Sequence, residues 1–200
     1  MSSLFFALAL IAYYALHSVL AANGVKEKLY RLVPARYYRL GYNLLATVLL
    51  ATLFYFYFRI EKTPIWSPNP ILPYPGALLA LAGISWAVRA MKRYNLDEFM
   101  GLEQLRTGQK PVHNKLIIRG LNGRVRHPLY FGTLLIVVGV LLIIPNDAMF
   151  SFALISTIYL IIGSRLEEEK LVAQFGEAYR KYQREVPMLV PFRWKSFLRH

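Results

Sequence analysis

The sequence predicts an all-α membrane protein with about five transmembrane helices, and three observations support that prediction. The 200 residues are 56% hydrophobic and 18% charged, with a mean hydropathy of +0.36. That composition is too apolar for an ordinary soluble domain of this length. Five apolar runs approach the roughly 17–25 residues that a helix needs to cross the hydrocarbon core. Lys and Arg gather in segments beside these runs, where anionic lipid headgroups would meet them.

The apolar runs define the order of the predicted helices. They are residues 4–22, 40–58, 71–88, 129–144 and 148–163. The first run has no basic leader and no small-residue cleavage site, so we expect it to be a retained helix. The last two runs are slightly short, and only Pro145, Asn146 and Asp147 connect them. A connector of that length predicts an antiparallel helical hairpin.

Composition also excludes several classes of protein. The chain has no cysteine, which rules out disulfides, thiolate metal sites and a cysteine nucleophile. Its four histidines are scattered without metal-ligand spacing, so we expect no metal. The formal charge of +13 would suit nucleic acid, but the basic residues border apolar runs, which favours a membrane surface. Phosphate-binding loops and serine–histidine–aspartate patterns are not found.

The distribution of basic residues predicts the orientation in a plasma or inner membrane. Five lie between the first two runs, eight lie from Lys92 to Arg126, and eight more follow Gly163. The remaining loops hold only Arg59 and Lys62. Because basic loops resist translocation, the N-terminus should be outside and the C-terminus cytoplasmic. We expect one integral membrane domain over residues 1–200, with a cytoplasmic connector at 92–127 and a cytoplasmic tail at 164–200.

Equal arm lengths predict that two polar motifs meet at one end of the hairpin. His127 precedes Asp147 by twenty residues, and Glu167 follows Asp147 by twenty. At about 1.5 Å of rise per residue, both arms are roughly 30 Å long. Pro128 suits the first helical position, where its missing N–H costs nothing. Arg126 and the helix N-terminus would then add positive charge opposite the glutamates, although both motifs could simply be membrane-surface anchors.

Two further features leave alternatives open. Apolar and aromatic residues within 166–183 recur at nearly 3.6-residue intervals, which predicts one amphipathic helix lying on the membrane and roofing a pocket. His17 lies inside the first run and is equally consistent with a functional role or with a hydrogen bond to a neighbouring helix. Arg89 lies near the end of the third run, where snorkelling to the headgroups is the simpler explanation.

The two C-terminal motifs resemble a known family. Leu116-x3-Gly120-x4-Val125-Arg126-His127-Pro128-x-Tyr130-x-Gly132, followed by Glu167-Glu168-x2-Leu171-x3-Phe175-Gly176-x2-Tyr179-x2-Tyr182, resembles the integral membrane methyltransferases that act on isoprenylcysteine carboxyl groups and on phospholipids. The N-terminal half, including Leu16-His17-Ser18 and Tyr38-Arg39-Leu40-x-Tyr42-Asn43, is more similar to the NnrU-like and methanethiol S-methyltransferase branch.

This resemblance implies S-adenosylmethionine as the methyl donor, in a pocket completed by the connector and the tail. The residues implied for the donor are Lys115, Leu116, Gly120, Arg126, His127, Pro128, Tyr130, Gly132 and Glu167. Glu168 or Arg165 is hypothesised to assist the acceptor. The expected partners are membrane lipids and a small lipophilic acceptor, with no nucleic acid and no metal; the oligomeric state is left open.

Departures from the family pattern shape the expected substrate. The carboxyl methyltransferases place an arginine four residues before the glutamate pair, where this chain has Gly163. Because an arginine at that position would hold a substrate carboxylate, its displacement favours a thiol or another small lipophilic nucleophile over a prenylcysteine carboxylate; a lipid acceptor is the other alternative. Asn122 stands where relatives often carry an aromatic residue, so one stacking contact to the donor would be missing. The rival interpretations are a non-catalytic NnrU-like membrane protein and a small transporter, for which the spans carry too little charge.

Overall fold

The chain forms helices almost throughout. The computed structural model describes residues 2–67, 69–92, 96–108 and 116–192, apart from the side chains of Glu98 and Phe99. Within those ranges there is no β-strand, and a 3₁₀ turn spans Gly120–Gly123. The α-helices in chain order are α1 Ser3–Ala21, α2 Asn23–Leu29, α3 Ala35–Arg59, α4 Pro73–Met91, α5 Leu96–Met100, α6 Leu102–Thr107, α7 Pro128–Ile143, α8 Asp147–Phe175 and α9 Glu177–Glu185.

All five predicted apolar runs are helical, as α1, α3, α4, α7 and α8. Of the described helices, α1, α3 and α8 are long and apolar enough to cross a membrane, and α7 is a shorter apolar helix. Many apolar side chains on them are exposed, which a bilayer would cover. The chain is therefore an integral membrane protein with an all-helical fold. The number of five spans stays a prediction.

Contacts divide the chain into two units, and α8 belongs to both. The first unit comprises residues 1–68, 94–112 and 145–155. In it, α1 lies beside α3, with Phe6 and Tyr57 in ring contact at 5.7 Å. The hydroxyl of Tyr42 on α3 lies 2.7 Å from Nε2 of His17 on α1. His17 is thus hydrogen-bonded to a neighbouring helix, which is one of its two predicted alternatives.

The short connector before α8 is hydrogen-bonded to the loop that follows α3. Asp147 accepts a hydrogen bond from the Thr63 N–H and donates its own N–H to the Thr63 carbonyl, both at 3.0 Å. The Asn146 side chain donates to the Tyr57 hydroxyl at 3.0 Å and accepts from the Met149 N–H at 2.8 Å. Asn146 therefore caps α8, and the polar groups of the turn are satisfied inside the first unit.

The second unit comprises residues 69–93, 113–144 and 156–200, and its largest contact is between α4 and α7. Gly76 and Gly83 of α4 face Gly139 and Gly132 of α7. A Cβ at Gly139 would lie 2.5 Å from the Gly76 carbonyl oxygen, and one at Gly83 would lie 2.6 Å from that of Gly132. Small residues allow this close backbone approach, as is common between helices in membranes.

The predicted amphipathic helix over residues 166–183 was wrong as a single separate element. Helix α8 continues through that region without interruption to Phe175, because residues 164–175 contain no proline or glycine. Gly176 then adopts φ +57° and ψ −131°, a conformation that residues with a Cβ avoid, and α9 begins after it. The tail is therefore a helix extension, a sharp break and a second short helix.

Candidate functional site

Polar side chains of the second unit converge where α7 begins. They come from three stretches of chain: the residues just before and after the start of α7, the end of α8 beyond its apolar part, and α9 with the segment after it. Pro128 occupies the first turn of α7, as predicted, and His127 immediately precedes it. The two predicted motifs do meet, because Arg126 and His127 contact Glu168 directly.

Arg126 and Glu168 form a buried bidentate ion pair. The Arg126 Nε donates to Glu168 Oε1 at 2.5 Å, and Nη2 donates to Oε2 at 3.1 Å. Their side chains are only 10% and 9% exposed. Gln183 of α9 donates a third hydrogen bond to Glu168, at 2.8 Å. Arg126 suits such a pair because its planar guanidinium matches both carboxylate oxygens.

His127 lies between two carboxylates. Its Nε2 is 3.1 Å from Glu168 Oε1, and its Nδ1 is 3.5 Å from Glu167 Oε2. Burial alone would lower the pKa of His127, but hydrogen bonds to Glu167 and Glu168 outweigh it and raise that pKa above its ordinary value. With a carboxylate at each ring nitrogen, the site favours the doubly protonated imidazolium over a wider pH range than in a free histidine.

The same contacts keep both glutamates ionised. Burial would raise the pKa of Glu168, yet hydrogen bonds from His127, Arg126 and Gln183 hold it at about 2. Burial also acts to raise the pKa of Glu167, and the hydrogen bond and charge of His127, with the Tyr130 hydroxyl, bring it below its ordinary value. Both carboxylates are therefore held ionised by hydrogen-bond donors within one cluster.

Glu167 is the more accessible of the two carboxylates. Its side chain is 47% exposed, against 9% for Glu168. The Tyr130 hydroxyl donates to Glu167 Oε2 at 3.1 Å, and the Tyr130 ring stacks on His127 with the centroids 5.5 Å apart. Among the described residues, no hydrogen bond reaches Glu167 Oε1. Glu167 is thus oriented through one oxygen while the other can accept from a ligand.

The C-terminal segment closes over the residues that precede α7. The Arg126 Nη1 donates to the carbonyls of Gln183 and Val186, at 2.9 and 2.5 Å. The backbone N–H groups of Arg126 and His127 donate to the carbonyls of Pro187 and Met188, at 2.9 and 3.1 Å. These bonds satisfy the carbonyls at the end of α9, which would otherwise lack partners.

Two tyrosines of α9 also hold the C-terminal segment against the residues that precede α7. The Tyr182 hydroxyl donates to the Asn122 carbonyl at 2.6 Å, and the Asn122 side chain donates to the Ile117 carbonyl at 2.9 Å. Tyr179 is 1% exposed. Burial raises the pKa of Tyr179 well above its usual range, and the Glu168 carboxylate acts in the same direction, so its phenol stays neutral.

The remaining predicted site residues that the structure describes make no side-chain hydrogen bond or ion pair with this cluster. Gly132 packs against Gly83 and Ala87 of α4. Leu116 and Gly120 lie on the segment before α7, with Gly120 at φ +67°. Arg165 is exposed on α8, two residues before Glu167. Lys115 lies outside the described residues. The donor-binding and acceptor roles of the predicted residues stay predictions.

The sequence did not predict the hydrogen bond from Gln183 to Glu168. It also did not predict the hydrogen bond between Tyr182 and Asn122. Gln183 had no distinguishing pattern of its own, since it is one of several polar residues in α9. The useful signal was Gly176, because glycine readily adopts the positive φ with which a helix can be broken. That break lets α9 approach Glu168, which lies fifteen residues earlier.

A metal is not suggested by this cluster. Among the described residues, no group of three or more His, Cys, Asp or Glu side chains could hold a metal ion. An organic cation is a better match, because Glu167 presents an oriented carboxylate with one open oxygen. The fold and this site define a class: a helical membrane protein with a histidine–diglutamate cluster at the start of one apolar helix.

Comparison with known proteins shows the family to which the chain belongs. The profile of the NnrU protein family matches residues 5–190, so the chain belongs to the NnrU family. It is 34% identical to a methanethiol S-methyltransferase of Pseudomonas sp. (strain GM41(2012)), over 94% of this chain and 72% of that protein. It is 32% identical to the methanethiol S-methyltransferase of Mycobacterium tuberculosis (strain ATCC 25618 / H37Rv), over 88% of this chain and 72% of that protein.

A third relative extends the likeness. The methanethiol S-methyltransferase of Crocosphaera subtropica (strain ATCC 51142 / BH68) is 31% identical over 92% of this chain and 72% of its own length. No solved structure matched the chain. The resemblance to the NnrU-like and methanethiol S-methyltransferase branch, first inferred from motifs, is confirmed.

Proposed function

We propose that this chain is a membrane methyltransferase that transfers a methyl group from S-adenosylmethionine to a small lipophilic thiol. The observation that supports the proposal most directly is the pair of contacts that Tyr130 and His127 make with the Glu167 carboxylate. Tyr130 and His127 contact one oxygen of an accessible carboxylate, and among the described residues no hydrogen bond reaches the other. The likeness to methanethiol S-methyltransferases over most of the chain supports the same activity.

The donor fits this site by charge and by hydrogen bonding. S-adenosylmethionine, when bound, supplies a methyl group already activated on a sulfonium. Glu167 would accept from its hydroxyl or ammonium groups, and a carboxylate near a cation is favourable. The first-turn N–H groups of α7 would attract its carboxylate. Leu116 and Gly120 of the segment 92–127 and the tail within 164–200 would line the pocket.

Methyl transfer requires alignment more than covalent help from the protein. The acceptor sulfur forms a bond to the methyl carbon as the bond from that carbon to the sulfonium breaks, and the thiol proton is lost to solvent. Holding the reacting atoms about 3–3.5 Å apart is the main contribution a protein can make. We propose that Arg165, exposed on α8, favours the thiolate by its positive charge.

Either Glu168 or Arg165 was hypothesised to assist the acceptor. The Glu168 side chain is 9% exposed and takes hydrogen bonds from Arg126, His127 and Gln183. These contacts favour a positioning role, in which Glu168 keeps His127 charged and holds the tail closed. Arg165 is then the acceptor-side residue of the proposal.

We also propose five membrane crossings, with α4 as the third. The N-terminus would lie outside and the C-terminus in the cytoplasm, because the three basic segments would then all be cytoplasmic. The donor would enter from the cytosol, and an apolar thiol would enter from the bilayer.

Calorimetry on the detergent-solubilised chain tests donor binding. S-adenosylmethionine should bind the parent protein and should bind Glu167→Ala and His127→Ala at least tenfold more weakly. Glu177→Ala is a matched control, since Glu177 is an exposed glutamate of α9 whose ion pairs, with Arg180 at 2.7 Å and Arg184 at 4.0 Å, are also exposed. Absence of binding by the parent protein would eliminate the proposal in favour of a non-catalytic role.

Radiolabelled donor then identifies the acceptor. The protein is incubated with labelled S-adenosylmethionine and methanethiol, longer alkanethiols, phospholipids or a prenylcysteine analogue. Label should pass to the thiols. Transfer to the prenylcysteine carboxylate or to lipid would retain the methyltransferase assignment and reject the thiol.

A further inference from the structure

A groove separates the end of α1 from the beginning of α3 in the first unit. Its volume is about 190 Å³. The lining is apolar or aromatic and includes Leu20, Val33, Tyr37, Tyr38, Gly41 and Leu45. The Tyr38 hydroxyl donates to the Leu20 carbonyl at 2.8 Å, so the polar group of this tyrosine is satisfied within the groove wall. The groove therefore offers an apolar surface.

The groove is open along the side lined by exposed apolar and aromatic residues. Val33, Tyr37 and Leu45 are 42%, 43% and 43% exposed. A Cβ placed on Gly41 would meet no atom within 4 Å, which marks open space at the centre of the lining. An open apolar groove between two membrane helices suits a flexible acyl chain that enters from the bilayer. It is too open to enclose a molecule as small as methanethiol.

Positive charge lies at the mouth of the groove. The Arg36 guanidinium lies 4.5 Å from the ring centroid of Tyr37, which itself lines the groove. Lys28 and Arg31 are exposed on the same short stretch between α1 and α3, and Glu27 is the acidic residue among them. A cation held over a groove-lining aromatic ring is placed to meet an anionic headgroup.

We infer that this groove binds one anionic phospholipid. Its acyl chain would occupy the lining around Gly41, and its phosphate would pair with Arg36. Basic residues at a membrane surface attract anionic lipid, and aromatic residues such as Tyr37 and Tyr38 favour the headgroup level. The site is separate from the His127 cluster in its residues and does not depend on methyl transfer.

Filling the groove tests the acyl-chain part. Phosphatidylglycerol and phosphatidylcholine are titrated onto the detergent-solubilised chain, and bound lipids are counted by native mass spectrometry. Gly41→Phe should abolish the tightest phosphatidylglycerol adduct. Gly24→Phe is the matched control, because a Cβ on Gly24 in α2 also meets no atom within 4 Å, and Gly24 does not line the groove. Unchanged binding in Gly41→Phe, or equal loss in both folded variants, overturns the site.

Removing the cation tests the headgroup part and remains decisive if Gly41→Phe does not fold. Arg36→Gln should weaken phosphatidylglycerol binding roughly fivefold and leave phosphatidylcholine unchanged. Arg59→Gln is the matched control, since Arg59 lies 5.7 Å from the Tyr55 ring at the other end of α3. Equal weakening of phosphatidylglycerol binding by Arg36→Gln and Arg59→Gln would contradict the inference. So would displacement of the bound lipid by the acceptor thiol at the concentration used in the methyl-transfer assay.

Discussion

Glu167 and Glu168 are neighbours in sequence, so their side chains leave α8 about 100° apart. One consequence is the contrast in their surroundings: Glu168 faces Arg126 and α9, whereas Glu167 faces Tyr130 and solvent. His127 contacts both. Changes at one glutamate should therefore alter stability, and changes at the other should alter ligand binding.

Replacing Glu168 should destabilise the protein far more than replacing an exposed glutamate. Glu168→Ala leaves Arg126 buried without its carboxylate, which costs about 3–5 kcal/mol in other proteins. Glu177→Ala breaks an exposed pair, with side chains 73% and 56% exposed, and should cost about 0–1 kcal/mol. Thermal unfolding in detergent measures both. Similar losses in the two variants would show that the buried pair does not stabilise the fold.

The charge of His127 should make stability depend on pH in a defined window. Its pKa is raised above 6.5, so its contribution is complete below pH 6.5 and is lost as pH rises through the raised value. The pKa of Glu168 is lowered from 4.5 to about 2, so its contribution is complete above pH 4.5 and is lost as pH falls toward 2. The cluster should therefore be most stabilising between about pH 4.5 and 6.5.

Two measurements check this window. Unfolding temperatures are recorded across pH for the parent and for His127→Gln, and the difference between them should shrink at alkaline pH. NMR of labelled histidines, with the His127 signal assigned from its loss in His127→Gln, should give a pKa above 6.5 that falls in Glu168→Gln. A pKa at or below 6.5 in the parent would contradict the imidazolium assignment.

Among the elements, the break after α8 determines whether the tail reaches the cluster. Gly176 has φ +57°, and no atom lies within 4 Å of a Cβ placed on it. A substitution there acts through backbone strain and not through a clash. The strain would oppose the turn that brings Tyr182 and Gln183 toward Asn122 and Glu168.

Gly176→Ala should therefore destabilise the tail by about 1–3 kcal/mol. Gly163→Ala is the matched control, because Gly163 also has open space around it but lies within α8 at ordinary helical angles, where alanine should be neutral or stabilising by up to about 1 kcal/mol. Hydrogen exchange of the Arg126 and His127 amides measures the effect. Equal protection of those amides in both variants would show that the tail closes without the Gly176 conformation.

The elements also show what sequence patterns can and cannot predict. Helix rise and a three-residue connector predicted that His127 and Glu168 would meet, because the geometry of a helical hairpin follows from length alone. Periodicity over residues 166–183 did not reveal the break at Gly176, since the apolar spacing continues across it. The roles of Gln183 and of the Pro187 and Met188 carbonyls depend on where the folded tail lies, which no local pattern encodes.

At the scale of the whole molecule, ligand binding should raise the unfolding temperature. A ligand that binds only the folded state at 100 times its Kd stabilises it by about 2.7 kcal/mol. S-adenosylmethionine at that excess should shift the melting temperature of the parent, and should shift that of Glu167→Ala much less. A shift of equal size in the variant would place the donor away from Glu167.

The number of membrane crossings determines whether the two termini lie on the same side. Helices α1, α3 and α8 are long and apolar enough to cross, and α7 is shorter and apolar. Helix α4 is less apolar, and it packs closely on α7 through glycines. If α4 crosses with the other four, the termini lie on opposite sides; if it does not, four crossings return the C-terminus to the side of the N-terminus.

Reporter fusions on either side of α4 should give opposite results. Alkaline phosphatase is active only outside the cytoplasm, and green fluorescent protein inserted at the same positions is fluorescent only inside it. We expect phosphatase activity for a junction within residues 61–70, and fluorescence for a junction after Gly108 and for one at the C-terminus, because the basic segments there should stay cytoplasmic. The same signal from both sides of α4 would reduce the crossings to four. The N-terminus and the C-terminus would then lie on the same side, so an outside N-terminus would be incompatible with a cytoplasmic donor site.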